Sequence, residues 1–279
     1  MMDATRPSID VHVHLHPPRL ADAISRHFAG IGWRPVHGWA PDAVASTLRE
    51  HGVDRFCCFS YAHRPGIARA INAWMAKAGR TLPGAIPFGT VHTDDPDCAE
   101  VAREALHDLG LAGLKIHCSV QRIAPDDPRL VPVYEAVLGA GRVMMLHAGT
   151  LPYRDEHTGI ERVRPVMARF PELPVCIAHL GAHEHRAFLE LTDEYPNLYV
   201  DTTMALAGPA KEYVAAEPDA VSNDEIVRHQ DRILFGSDFP LLPYPYEEER
   251  RWAVSRGLSE DVQRKIFYGN AVRFLRLAV

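Results

Sequence analysis

The chain has 279 residues, 47% hydrophobic and 24% charged, with a formal net charge of −6. That length suits one large domain or two small ones, and the acidic balance without a basic run leaves no electrostatic footprint for nucleic acid. No apolar run approaches a membrane span, the first eight residues lack a signal core, and the five cysteines show no Cys-x-x-Cys spacing, so a reduced, cytoplasmic protein without a thiolate zinc site is expected.

The chain opens on a strand, Ile9-Asp10-Val11-His12-Val13-His14-Leu15-His16. Alternation along a strand places His12 and His14 on one face and Val11, Val13 and Leu15 on the other. A helix is predicted at 19–28, then a Gly- and Trp-rich loop at 29–39 and a helix at 41–51 that starts on Pro41 and stops at Gly52. Strands follow at 53–61, 85–91, 111–117, 142–147, 175–179, 197–202 and 232–236. Between them lie helices at 65–78, 96–109, 128–138, 158–170 (interrupted by Pro165), 184–195 and 222–229. Three helices, 246–255, 259–267 and 270–277, close the chain.

Each of the eight strands is apolar at nearly every position rather than at alternate ones. Burial on both faces marks a parallel sheet covered by helices. Eight strand–helix units in one chain predict a closed (β/α)8 TIM barrel, a single α/β domain over residues 1–279 with C-terminal helices from about 246. An open doubly wound sheet is disfavoured because no Gly-x-Gly-x-x-Gly follows the first strand.

Barrel enzymes place their chemistry at the C-terminal ends of the strands. Here strand one carries His12 and His14, strand four Lys115, strand five ends in His147, strand six in His179 and strand eight in Asp238. One such residue would be explained by local hydrogen bonding. Five strands presenting His, Lys or Asp on one rim call for a shared cation, because buried polar groups are costly unless paired. Imidazole with carboxylate suits zinc, and also iron, manganese or nickel.

This set, together with Asp10-Val11-His12-Val13-His14, Gly113-Leu114-Lys115-Ile116-His117, Gly236-Ser237-Asp238-Phe239-Pro240 and Ile266-Phe267-Tyr268-Gly269-Asn270-Ala271, resembles the amidohydrolase superfamily. Within it, the likeness is to the branch that includes aminocarboxymuconate semialdehyde decarboxylase. The resemblance implies that His12, His14 and Asp238 bind a divalent metal, most simply Zn2+. In a one-ion form His147 completes the set and His179 stands free. In a two-ion form Lys115 carries a bridging carbamate, with His147 and His179 on the second ion. The other reading of Lys115 is an ordinary ammonium paired with Asp238 or an acidic substrate.

The resemblance further implies that Asp238 handles the proton of an activated water and that His179 polarises a carbonyl or stabilises an oxyanion. The expected reaction is hydrolysis of an amide, ester or lactone of a small organic substrate. The alternative is decarboxylation or hydration of an aromatic-degradation acid, and a third reading is a barrel that only binds a ligand. Candidate substrate contacts are His117, Arg154 and His63, with Tyr153 and His92 nearby and Arg154 as anion anchor. Thr202 and Thr203 end strand seven within reach of substrate. Trp33, His37 and Trp39 would form a lid or simply pack their loop, and His16 is placed on the rim. A small-molecule substrate is the expected partner, and the oligomeric state is open, a homo-oligomer included.

Overall fold

A computed structural model describes residues 7–151 and 154–278. Eight parallel strands are present: β1 (Ile9–His14), β2 (Arg55–Phe59), β3 (Ala85–Pro87), β4 (Gly113–His117), β5 (Val143–His147), β6 (Val175–Ile177), β7 (Leu198–Asp201) and β8 (Ile233–Leu234). They form ladders of three and five strands. The two ladders are joined into one closed barrel. Gly89 N donates to Gly113 O at 2.9 Å and Lys115 N to Gly89 O at 2.8 Å; across the other seam Val11 N donates to Phe235 O at 2.9 Å and His14 N to Phe239 O at 2.7 Å.

Around the barrel run α1 (Pro18–Ile31), α2 (Pro41–Glu50), α3 (Ala68–Thr81), α4 (Cys98–Arg103), α5 (Cys118–Gln121), α6 (Val131–Gly139), α7 (Ile160–Arg169) and α8 (His185–Glu194). α9 (Asn223–Arg228), α10 (Glu248–Ser255), α11 (Glu260–Arg264) and α12 (Asn270–Phe274) complete the chain. Among the described residues no helix is long and apolar enough to cross a membrane. All five cysteines are buried and free.

Two apolar layers account for the strand composition. Residues pointing outward, such as Val13, Leu114, Leu146, Ile177 and Val200, pack against the helices. Residues pointing inward, among them Ile9, Val11, Cys57, Phe59, Phe88, Met145, Cys176 and Tyr199, fill the barrel, and Ala271 and Phe274 of α12 join this inner cluster. The inner filling leaves room for polar groups at the C-terminal mouth.

Several element ends differ from the predicted ones, each for a local reason. α7 continues past Pro165 as one helix, because Val163, Val166 and Met167 are buried on one face and offset the lost hydrogen bond. β3 ends at Pro87, which has no N–H to donate to a ladder. β6 ends at Ile177 rather than His179, because His179, Leu180 and Gly181 turn left-handed, with φ of 59°, 53° and 76°.

The largest departure lies in β1. Asp10 pairs with Phe56 and Val13 with Cys58, so β1 holds one residue more than β2 across this interval. This β-bulge turns both Val11 and His12 inward, against the simple alternation. Asp10 clamps it: Oδ1 accepts from His12 N at 3.0 Å, while Oδ2 accepts from Ser237 Oγ at 2.6 Å and Tyr246 OH at 3.0 Å. Burial pushes the Asp10 carboxyl up to about 6, although its hydrogen-bond donors pull the other way.

Candidate metal centre

β1 and the turn after β8 supply the core of the site. His14 Nε2 lies 2.9 Å and His12 Nε2 3.1 Å from the same oxygen, Asp238 Oδ1. These three residues form the one group of ligand-type atoms within 4.8 Å of one another among the described residues. Asp238 reaches the position from left-handed backbone, φ 73°, with its N–H donating to His12 O at 2.8 Å. Gly236 permits the close approach of β8 to β1: a Cβ there would sit 2.5 Å from Thr203 Oγ1 and 2.8 Å from His12 Cβ.

The donor set fits a cation. His12 Nδ1 lies 2.9 Å from Asp201 Oδ2, and a carboxylate accepts, so Nδ1 carries the hydrogen. In a neutral His12 the Nε2 lone pair then faces a carboxylate oxygen at 3.1 Å. Two acceptors at that distance need a proton or a metal ion between them. Burial and Lys115 act to lower the His12 pKa, yet Asp201 and Asp238 outweigh them and its direction is upward. His14 Nδ1 is buried without a partner.

Asp201 was not among the residues singled out from sequence, and it is the organising carboxylate behind the site. Besides His12 it accepts from His179 N at 3.0 Å and Thr203 N at 3.1 Å. Burial alone would raise its pKa, but His12 holds it well below the usual carboxylate range. Its signal was present: it ends β7 at the level where the other strands present their polar groups.

His179 has a defined tautomer. Its Nδ1 lies 2.9 Å from the Thr203 carbonyl, which can only accept. Burial lowers its pKa to about 4, so the neutral ring keeps a bare lone pair on Nε2, which is buried and unpaired. The left-handed turn that carries it is strained backbone of the kind found at functional sites.

The other predicted residues fall into two groups. His147, His117 and His63 line the cleft above the site, together with Tyr61, which the sequence did not single out. His147 is not in the three-residue cluster: its Nε2 lies 2.7 Å from Leu151 O, and its ring stacks on His117 at 3.9 Å and meets His179 at 4.5 Å. Burial drives the pKa of both His117 and His147 well down, so they are neutral. His63 is at the exposed rim. Lys115 is fully buried, with Nζ 3.4 Å from His12 Nε2 and 4.4 Å above the Phe59 ring. Burial lowers its pKa, against the pull of Asp201 and Asp238. Among the described residues no carboxylate lies within 4.0 Å of it.

Arg154 stands apart. It is 76% exposed, 3.7 Å from Glu184, and does not line the cleft, whereas Arg122 does. Tyr153 lies outside the described residues. His92 is buried and its Nδ1 accepts from Asp94 N at 3.2 Å. His16 holds Ser60 Oγ at 2.8 Å through Nδ1, outside the ligand cluster. Thr202 bonds across to Gly236. The 32–40 loop is pinned, since Trp33 Nε1 donates to Leu241 O at 2.8 Å and His37 Nε2 lies 3.0 Å from Tyr244 O.

Comparison with known proteins places these features in context. A family model described as amidohydrolase matches residues 9–277. An uncharacterized TIM-barrel protein from Bordetella bronchiseptica is similar with a TM-score of 0.72 at 23% identity, covering 97% of this chain and 99% of that one. A 2,6-dihydroxybenzoate decarboxylase from Rhizobium is similar at TM-score 0.68 and 17% identity, covering 97% and 98%. A manganese complex of 5-carboxyvanillate decarboxylase from Novosphingobium aromaticivorans is similar at TM-score 0.65 and 16% identity, covering 99% and 97%. At these identities the structural likeness establishes the (β/α)8 fold.

Proposed function

We propose, from the premise that this chain belongs to the amidohydrolase family, that it is a metal-dependent hydrolase acting on an amide, ester or lactone of a small organic molecule. The observation that carries the reading is the convergence of His12 Nε2, His14 Nε2 and Asp238 Oδ1 beside the unpaired Nε2 of His179. His12, His14 and Asp238 would hold one divalent ion. Zinc is the ion proposed, and manganese suits the same donors. Such an ion supplies Lewis-acid polarisation and brings the pKa of a water from near 16 towards about 7.

The residues around it divide the remaining work. Asp201 keeps the His12 ring turned so that Nε2 faces the centre, the usual task of a carboxylate behind a ligating histidine. The Thr203 carbonyl makes His179 Nε2 an acceptor, so this ring orients a water by taking its hydrogen bond. Once protonated at Nε2, it can return that proton to the leaving atom. The oxyanion-donating role expected for His179 would require the ring to be charged first. Lys115 is held towards the neutral amine by burial, which outweighs the pull of Asp201 and Asp238, and the neutral amine is the form that a carbamate requires.

A second reading, decarboxylation or hydration of an aromatic acid, is favoured by one feature. Tyr61 meets His117 edge-on at 5.1 Å and His117 stacks on His147, giving the cleft a ring-lined wall with Arg122 also lining the cleft. The benzoate-type decarboxylases of the same fold support it. Product analysis on lactones, anilides and hydroxybenzoates with zinc- and manganese-loaded protein separates the two. Hydrolytic products without carbon dioxide support the hydrolase; carbon dioxide release with no hydrolytic turnover rejects it.

A further inference from the structure

α1 carries Leu20, Ile24, Phe28 and Ile31 at the i, i+4, i+8, i+11 spacing of one helical face. A helix with such a stripe ordinarily buries it. Here none of the four is fully buried: Leu20, Ile24 and Phe28 are half-buried, Leu20 with one side against the core, and Ile31 is 56% exposed. All four side chains instead line the cleft that holds His14, His179 and Asp238. At 1.5 Å per residue the stripe is about 16 Å long. Trp33 and Tyr213, their rings 6.2 Å apart, extend the same apolar lining.

We propose that the cleft takes a substrate with an elongated apolar portion laid along α1 and its reactive group at the metal centre; this rests on the metal-dependent reading above. The length of the stripe and its continuity with the site argue for such a molecule. A second protein chain fits less well, because the stripe faces into the cleft and a chain seated there would cover the route to His179 and Asp238. The charged residues of α1, Arg19, Asp22 and Arg26, are exposed and stay in solvent whatever binds.

Straight-chain alkyl hydroxamates from two to ten carbons, titrated calorimetrically into zinc-loaded protein, test this, because the head chelates metal whatever reaction the enzyme performs. Affinity should rise about fourfold per added methylene, the effect of burying each group, before levelling off. The double variant Ile24→Asn/Phe28→Ser should bind acetohydroxamate unchanged and lose about tenfold for the ten-carbon probe. The same chains on an alcohol head separate the two readings. Acetohydroxamate that fails to bind rejects the metal centre, whereas chain-length dependence with the alcohols still supports the apolar wall. Affinities that stay flat with length on both heads, or a length dependence untouched by the double variant, overturn the inference.

Discussion

Asp201 Oδ2 lies 2.9 Å from Nδ1 of His12, and both side chains are fully buried. That contact decides which nitrogen of His12 faces Asp238. It therefore links the end of β7 to the ligand cluster on β1.

Replacing Asp201 by Asn removes the acceptor charge and leaves the ring free to take either tautomer. Zinc affinity should fall about 10- to 100-fold, the usual cost of losing a carboxylate behind a ligating histidine. Competition against a chromogenic chelator measures it. Unchanged affinity would show that His12 is oriented by something other than Asp201.

His179→Asn should keep the ion and lose the reaction. The ring is proposed to handle a proton at Nε2, and such groups contribute about 10²- to 10⁴-fold to rate. Metal content by elemental analysis should match the parent while kcat falls. Loss of metal along with activity would instead make His179 a ligand.

Gly236→Ala tests the close approach of β8 to β1. The added Cβ would press on Thr203 Oγ1 and His12 Cβ at 2.5 and 2.8 Å, one a short side-chain atom, the other anchored to β1. Overpacking of this kind costs about 1–3 kcal/mol. Urea denaturation should show that loss together with weaker metal retention, and a variant as stable as the parent would contradict so close a contact.

Glu249 offers a test by pH at a carboxyl outside the ligand set. It is fully buried, its Oε1 accepts a short bond from Tyr244 OH, and its Oε2 accepts from Met204 N at 3.1 Å. Burial drives its pKa well above the ordinary 4.5. A carboxyl raised on folding contributes stability below its unfolded pKa and loses it as pH rises through the folded value. Glu249→Gln removes the charge, its amide oxygen still accepting from Met204 N while its NH2 donates to the Tyr244 hydroxyl in the reverse sense, and it should exceed the parent in stability at pH 8. The advantage should shrink as pH falls towards the ordinary value of 4.5. Parallel pH–stability curves for the two proteins would show that Glu249 does not titrate in this way.

The repeating apolar strands, the helices between them and the polar residues ending strands one, four, five, six and eight were legible in the order of amino acids. Burial on both faces and a strand–helix period are local patterns, so one sequence suffices to read a closed barrel and to locate its chemical rim. Tertiary structure alone decided how those residues meet. The β1 bulge turned Val11 inward beside His12, because Asp10 is clamped by Ser237 and Tyr246 from far along the chain. Asp201 became the residue that orients His12, and a backbone carbonyl of Thr203 set the tautomer of His179. Arg154, an apparent anion anchor by position, projects into solvent. Hydrogen-bond direction and ring orientation at His12 depend on atoms more than a hundred residues away in the chain. Spacing within a strand can name a ligand, but which of its nitrogens is free is settled only by the neighbour that closure of the barrel brings to it.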